Sequence, residues 1–118
     1  MFLASLALAL SVGGQAMAAP APKPASFAMC AVCHKAVAGE KSMLGPNLFG
    51  VGGRQAGTLP GFTYSPAMKN SKIVWKRDVL VKFITDPRKS VPGTRMAFAG
   101  IKDPKKAGEV ADYLLSLK

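Results

Sequence analysis

Cys30-Ala31-Val32-Cys33-His34 is the stretch on which the rest of this sequence turns. Two thiols separated by two residues, with a histidine directly after the second, form the attachment signature of a c-type haem. The spacing has a physical reason. One short turn lets both sulfurs reach the two vinyl groups of a single porphyrin, and the next residue then aims an imidazole at the iron. The motif predicts one covalently bound haem c, with Cys30 and Cys33 as thioether donors and His34 as an axial ligand.

Working outward, the composition weakens the rival readings. Cys30 and Cys33 are the only cysteines of the 118 residues, and His34 is the only histidine. A structural zinc ion wants a closed set of four Cys or His ligands, and this chain offers fewer, all crowded into one turn. A thioredoxin-like dithiol expects a βαβ setting, and no β-branched strand runs flank the motif. A plain disulfide leaves the adjacent histidine unexplained.

With His34 committed, the second axial position falls to sulfur. Met1 and Met17 lie in the N-terminal segment, and Met29 is tied beside Cys30, which leaves Met43, Met68 and Met96. Met96 lies within Ser90-Val91-Pro92-Gly93-Thr94-Arg95-Met96-Ala97-Phe98-Ala99-Gly100. Pro92 stiffens this loop and Gly93 and Gly100 punctuate it, so it can deliver one sulfur to a fixed point. Met43 and Met68 read as core filling, the usual work of a methionine. Ligation by His34 and Met96 closes both axial positions and raises the reduction potential, which suits electron transfer and opposes oxygen or peroxide chemistry. The alternative is a catalytic or gas-sensing haem protein with an open or labile sixth position.

Phe2 to Val12 is an apolar run, followed by Gly13-Gly14-Gln15 and the small-residue pattern Ala16-Met17-Ala18. Residues 1–18 are expected to be a signal peptide, although the usual basic start is missing and the first lysine is Lys23. About 11 apolar residues fall well short of the roughly 20 that span a bilayer. Export to a bacterial periplasm also suits the chemistry, since covalent haem attachment belongs to oxidising compartments. A remaining domain of about 100 residues buries only some 60 to 70% of its unfolded surface and is marginal unaided. A haem supplies the missing apolar core, so the apoprotein is expected to be largely unfolded.

Residues 19–25, rich in proline, predict an extended and solvated leader, with order beginning near Ser26 and one domain over 26–118. Ser26 is a candidate cap for a short helix carrying Phe27, Cys30 and His34. Gly39 to Gly61 reads as irregular loop. Ser65-Pro66 opens a brief helical turn. Val79, Leu80, Phe83 and Ile84 recur at helical spacing from about Lys76, and Pro87 stops that helix near Thr85. Asp103-Pro104 then starts the clearest helix, with Ala107, Val110, Ala111, Leu114 and Leu115 on one face. Gly108 and Ala111 invite close crossing by the first helix. The fold class is all-α, with several short helices and long loops wrapped around one haem.

Several blocks, in order, carry a family resemblance from Cys30 to Leu117: the haem motif, Gly45-Pro46-Asn47-Leu48, Gly53-Arg54, Pro60-Gly61-Phe62-Thr63-Tyr64, Trp75 and the Met96 loop. Together they resemble a class I cytochrome c of the bacterial periplasmic branch, similar to mitochondrial cytochrome c. The resemblance implies a cytochrome c fold and single-electron shuttling between respiratory or photosynthetic partners, without enzymatic activity. It implies that Pro46 supports the histidine side, that Arg54, Tyr64 and Trp75 hydrogen-bond the haem propionates, and that Thr94 and Phe98 flank the methionine and the haem edge. This sequence departs at Phe83, where the relatives place a tyrosine, and at Met68, where they place an asparagine. Ser26 stands where the family has an aromatic residue, with Phe27 one step later.

The chain has 16 Lys and Arg against 6 Asp and Glu, a net charge of +10. That excess steers a protein toward acidic surfaces. The expected partners are acidic faces of membrane or periplasmic redox proteins, an oxidase, a reductase complex or a photosynthetic centre, met by a monomer. By the resemblance, Arg88, Lys89, Arg95 and Lys102 surround the exposed haem edge and dock them. No nucleic-acid-binding motif accompanies the charge, so no nucleic-acid partner is expected.

Overall fold

The computed structural model describes residues 19–118 together with Ala9 and Gly13, so the expected signal peptide lies, those two residues apart, outside the described residues. The described chain is helical, with one isolated antiparallel bridge between Gln55 and Val74. Five α-helices follow in order: α1 Ala28–Ala31, α2 Pro66–Lys69, α3 Arg77–Thr85, α4 Pro87–Ser90 and α5 Pro104–Ser116. A single 3-10 turn, Ala25–Phe27, leads into α1.

Three of these helices start the same way. A short polar side chain caps the N-terminus and proline, which has no N–H to leave unsatisfied, takes the first helical position. Ser65 accepts from the Met68 N–H, and Asp103 accepts from the Lys105 and Lys106 N–H groups. Asp86 does the same for the Lys89 N–H, so Pro87, expected only to stop α3, also begins α4. Asp86 turns the chain between the two helices at φ −154°, ψ 88°.

The first helical segment differs from expectation in its start. Ser26 does not cap it; Ser26 lies inside the 3-10 turn, which begins after the extended Pro24 (φ −72°, ψ 151°). The tighter winding turns Phe27 inward. Phe27 is 2% exposed and meets Tyr113 of α5 edge-on, with ring centroids 5.0 Å apart. Order also reaches back past Ser26, because the Ala21 N–H donates to Ser116 Oγ at the end of α5 (2.9 Å).

The main partner of α5 is α3. Arg77 Nε and Nη2 donate to the two Asp112 carboxylate oxygens at 2.8 and 3.3 Å. A Cβ on Gly108 would stand 3.0 Å from Arg77 Nη2, so this small residue gives room to α3 and not to the first helix. Between the two helices lie Leu80, Phe83 and Ile84 from α3 and Ala107, Val110, Ala111 and Leu114 from α5, all buried. Burial of a residue such as Leu80 or Leu114 contributes roughly 1.5–3 kcal/mol. Trp75 extends this core, its ring 5.0 Å from Phe83.

Candidate functional site

The core is incomplete on one side, where a cavity of about 980 Å³ opens between the loops of the first half of the chain and helices α2, α3 and α5. Cys30, Cys33 and His34 line it from the first half, with Pro46 and Arg54 beside them. Tyr64 and Trp75 line it further along, and Thr94, Met96 and Phe98 complete it from the loop after α4. Leu48, Val51, Leu80, Phe83, Ile84, Val110 and Leu114 supply apolar surface. All ten residues singled out for haem attachment, ligation and pocket contacts therefore meet in one space.

The helical turn of α1 places the motif. The Cys33 and His34 N–H groups both donate to the Cys30 carbonyl, at 3.1 and 2.9 Å, which winds the two cysteines and the histidine around one turn. The two cysteines form no disulfide with each other. Burial pushes the Cys30 thiol up from its ordinary value; a backbone hydrogen bond opposes this and the nearby Cys33 reinforces it.

His34 is fixed from its far side. Its Nδ1 lies 2.7 Å from the Pro46 carbonyl oxygen. A carbonyl only accepts, so Nδ1 carries the proton and Nε2 is the free electron pair. Burial pushes the imidazole pKa down, against the raising effect of that hydrogen bond, which keeps the ring neutral as a metal ligand must be. Gly45 closes the cradle: a Cβ there would collide with the imidazole ring. The glycine is required by this close approach, its N–H donating to the Cys33 carbonyl at 2.9 Å.

Behind Gly45 and Pro46, Asn47 is the hub of the loop, and sequence reasoning missed it. It is 7% exposed. Its Nδ2 donates to the carbonyls of Val37 (2.7 Å) and Glu40 (2.9 Å), and its Oδ1 accepts from the Phe49 N–H (3.0 Å). One side chain thus satisfies backbone groups on both flanks of the Gly-Pro turn. The only available signal was an Asn inside a Gly-Pro run, a residue that makes such local bonds in turns.

Arg54 is half-buried in the cavity wall. Its guanidinium makes long contacts of 3.4 and 3.5 Å to the Phe49 and Asn47 carbonyls, and among the described residues it pairs with no carboxylate. A partly buried cation of this kind wants an anion. The cavity therefore offers two thiols, a neutral imidazole, a thioether sulfur, a large apolar lining and one unpaired guanidinium, and that donor set fits a haem with its thioether links, axial ligands and propionates.

On the methionine side, Thr94 N–H donates to the Val91 carbonyl (3.0 Å) and Met96 N–H to Thr94 Oγ1 (3.3 Å). Gly93, at φ +90°, makes the turn that aims this loop at the cavity. Phe83 and Met68 also line the cavity, so the two departures from the expected pattern both face it. Of the four expected docking cations, Arg95 borders the cavity and is exposed, while Arg88 and Lys89 are exposed on α4. Lys102 is engaged elsewhere: its Nζ donates to the Thr85 carbonyl (2.8 Å) and lies 3.8 Å from the Asp86 carboxylate.

No family model matches the chain. Curated relatives do. It is 43% identical over 107 residues to cytochrome c2 of Blastochloris viridis, covering 91% of this chain and 84% of that protein. It is 50% identical over 86 residues to cytochrome c of Euglena viridis, covering 73% and 83%. Among solved structures, cytochrome cH from Methylobacterium extorquens superposes with a TM-score of 0.71 at 43% identity, covering 75% of this chain and 89% of that one.

Proposed function

Since the chain belongs to the class I cytochromes c and shuttles single electrons on one covalently bound haem c, we propose that Cys30 and Cys33 hold the haem and that His34 and Met96 are its two axial ligands. The observation that carries this reading is the convergence of both thiols, the only histidine and Met96 on one cavity. When bound, the haem supplies a one-electron iron couple. His34 presents Nε2, oriented by the Pro46 carbonyl through Nδ1. Arg54, Tyr64 and Trp75 are the residues placed to bind the propionates, with Pro46, Thr94 and Phe98 packing the group. The apolar lining excludes water, so that little solvent need reorganise when the charge changes.

Arg88, Lys89 and Arg95 offer acidic redox partners a cationic approach, with Lys102 contributing less because of Asp86. Residues 1–18 direct export to the periplasm, and the protein catalyses no reaction of its own. Among the described residues no helix is long and apolar enough to cross a membrane.

Met96→Ala tests the ligand set. It should abolish the red charge-transfer band of the oxidised form while covalent haem staining persists. Retention of the band would assign the sulfur elsewhere, and rapid carbon monoxide binding by the unsubstituted ferrous protein would overturn closed six-coordination.

A further inference from the structure

Lys102 uses its ammonium within the molecule. Nζ donates to the Thr85 carbonyl at 2.8 Å and lies 3.8 Å from Asp86 Oδ2. Thr85 is the last residue of α3, and the carbonyls of a helix's last turn find no N–H within the helix. One incoming segment takes two of them: the Ile84 carbonyl accepts from the Ile101 N–H (2.9 Å), and the Thr85 carbonyl from Lys102 Nζ. A cation at this end also meets the negative pole of the helix. The Thr85 oxygen is, besides, the atom on which Gly100 packs, so closely that a Cβ there would collide with it. A single backbone oxygen is therefore both the acceptor that Lys102 fixes and the seat of the segment that follows Met96.

Asp86 joins the other side. Its Oδ1 accepts from the Lys89 N–H and caps α4, while its Oδ2 faces Lys102. Helix α4 runs into Val91, whose carbonyl takes the Thr94 N–H. The chain from Asp86 out to Met96 and back to Lys102 is thus a loop with a neck. Among the described residues, Lys102 is the one side chain that hydrogen-bonds across it. We propose that Lys102 is a positioning residue for the axial sulfur: by closing this neck on the end of α3, it keeps the Met96 thioether at the iron. This rests on the reading of Met96 as a ligand and adds the residue that holds its loop shut. Without the ammonium, the Thr85 carbonyl is left to water and its peptide is free to turn beside Asp86, where the backbone has already left the helix (φ −154°, ψ 88°). Gly100 then loses its seat, and the displacement passes through Ala97 to Ala99 to Met96. An exposed contact of this kind is weak by itself. It matters because a loop opens at far lower free energy than a domain unfolds, so a small loss changes the open fraction several-fold.

The test is ligand exchange on the haem-loaded ferric protein. Added imidazole takes the place of the sulfur only where the loop has opened: an iron–sulfur bond breaks, an iron–nitrogen bond forms, and no electron moves. Loss of the red charge-transfer band follows the exchange. Lys102→Met keeps the length of the side chain and removes its donor and its charge. This variant should bind imidazole about fivefold more tightly than the parent, the factor that an exposed, charge-assisted hydrogen bond contributes. Lys102→Arg keeps donor and charge and should stay within about twofold of the parent, on the same scale. Lys105→Met removes an equal charge from the exposed start of α5 and should leave the affinity unchanged. A residue with a merely structural role would lower the denaturation midpoint and leave imidazole binding as it was. If Lys102→Met binds imidazole as the parent does, the neck is refuted and Met96 ligation stands. An equal gain from Lys105→Met would reduce the effect to net charge and overturn the proposal as well. If Met96→Ala itself keeps the red band, the underlying ligand assignment fails instead.

Discussion

His34 is gripped by neighbouring backbone on the spot, whereas Met96 is held through the loop that carries it, its own N–H making one long bond to Thr94 Oγ1 (3.3 Å). Around His34, the Pro46 carbonyl accepts from the Nδ1–H, Gly45 packs close against the ring, and Asn47 ties both flanks of the turn. The Met96 loop is fastened at one end by the Thr94 bond to Val91 and at the other by the Ile101 N–H to the Ile84 carbonyl (2.9 Å). Gly100, at φ +107°, packs so closely on the Thr85 carbonyl that any Cβ would collide with it. The difference teaches that the proposed nitrogen ligand belongs to a rigid local unit built together with Cys30 and Cys33, while the proposed sulfur ligand depends on a longer span docked onto α3.

Gly45→Ala attacks the rigid side and should have the largest effect. The new methyl must displace the imidazole, at a cost on the order of 4 kcal/mol, a large part of a small domain's stability. The yield of haem-stained protein should collapse; normal yield with an unchanged Soret band would show that the cradle is soft. Gly100→Ala attacks the other side, where steric collision and a left-handed φ together cost about 3 kcal/mol. Here the haem should remain covalently attached while the red band weakens, separating sulfur from nitrogen ligation in one variant. Asn47→Ala strips the hub of the histidine side and strands buried backbone groups, so the denaturation free energy of the holoprotein should fall by about 2 kcal/mol with the red band intact.

The smallest effect concerns neither ligand and serves as the control. Hydrogen bonding to Arg77 holds the Asp112 carboxyl below its ordinary range. A carboxylate whose pKa is lowered on folding stabilises fully above the unfolded value, about pH 4, and loses that contribution as pH falls through the lowered folded value. Both side chains are more than half exposed, so solvent and salt screen the pair. Asp112→Asn should slightly flatten the acid limb of the stability profile and leave both axial ligands untouched; a shift in the red band would show that the α3–α5 tie reaches the methionine side.

What was legible in the sequence was what chemistry compresses into a few adjacent residues. The haem motif is local because one turn must present three donor atoms. Ser65-Pro66 and Asp103-Pro104 announced α2 and α5 because cap and proline are neighbours. Asp86-Pro87 carries the same signal, but there the proline also ends α3, so its stop conceals the start of α4. Asn47 and Lys102 were illegible for another reason: their partners, Val37 and Glu40 for one, Thr85 and Asp86 for the other, come together only through the tertiary fold.

The bond from the Ala21 N–H to Ser116 Oγ brings the Pro-rich stretch before the first helical turn against the end of α5. Between those two residues the backbone runs nearly in a ring. A splice of a few residues across that junction would close it, and fresh termini could then be opened in the exposed stretch near Gly39, turning an ordinary linear carrier into a permuted one.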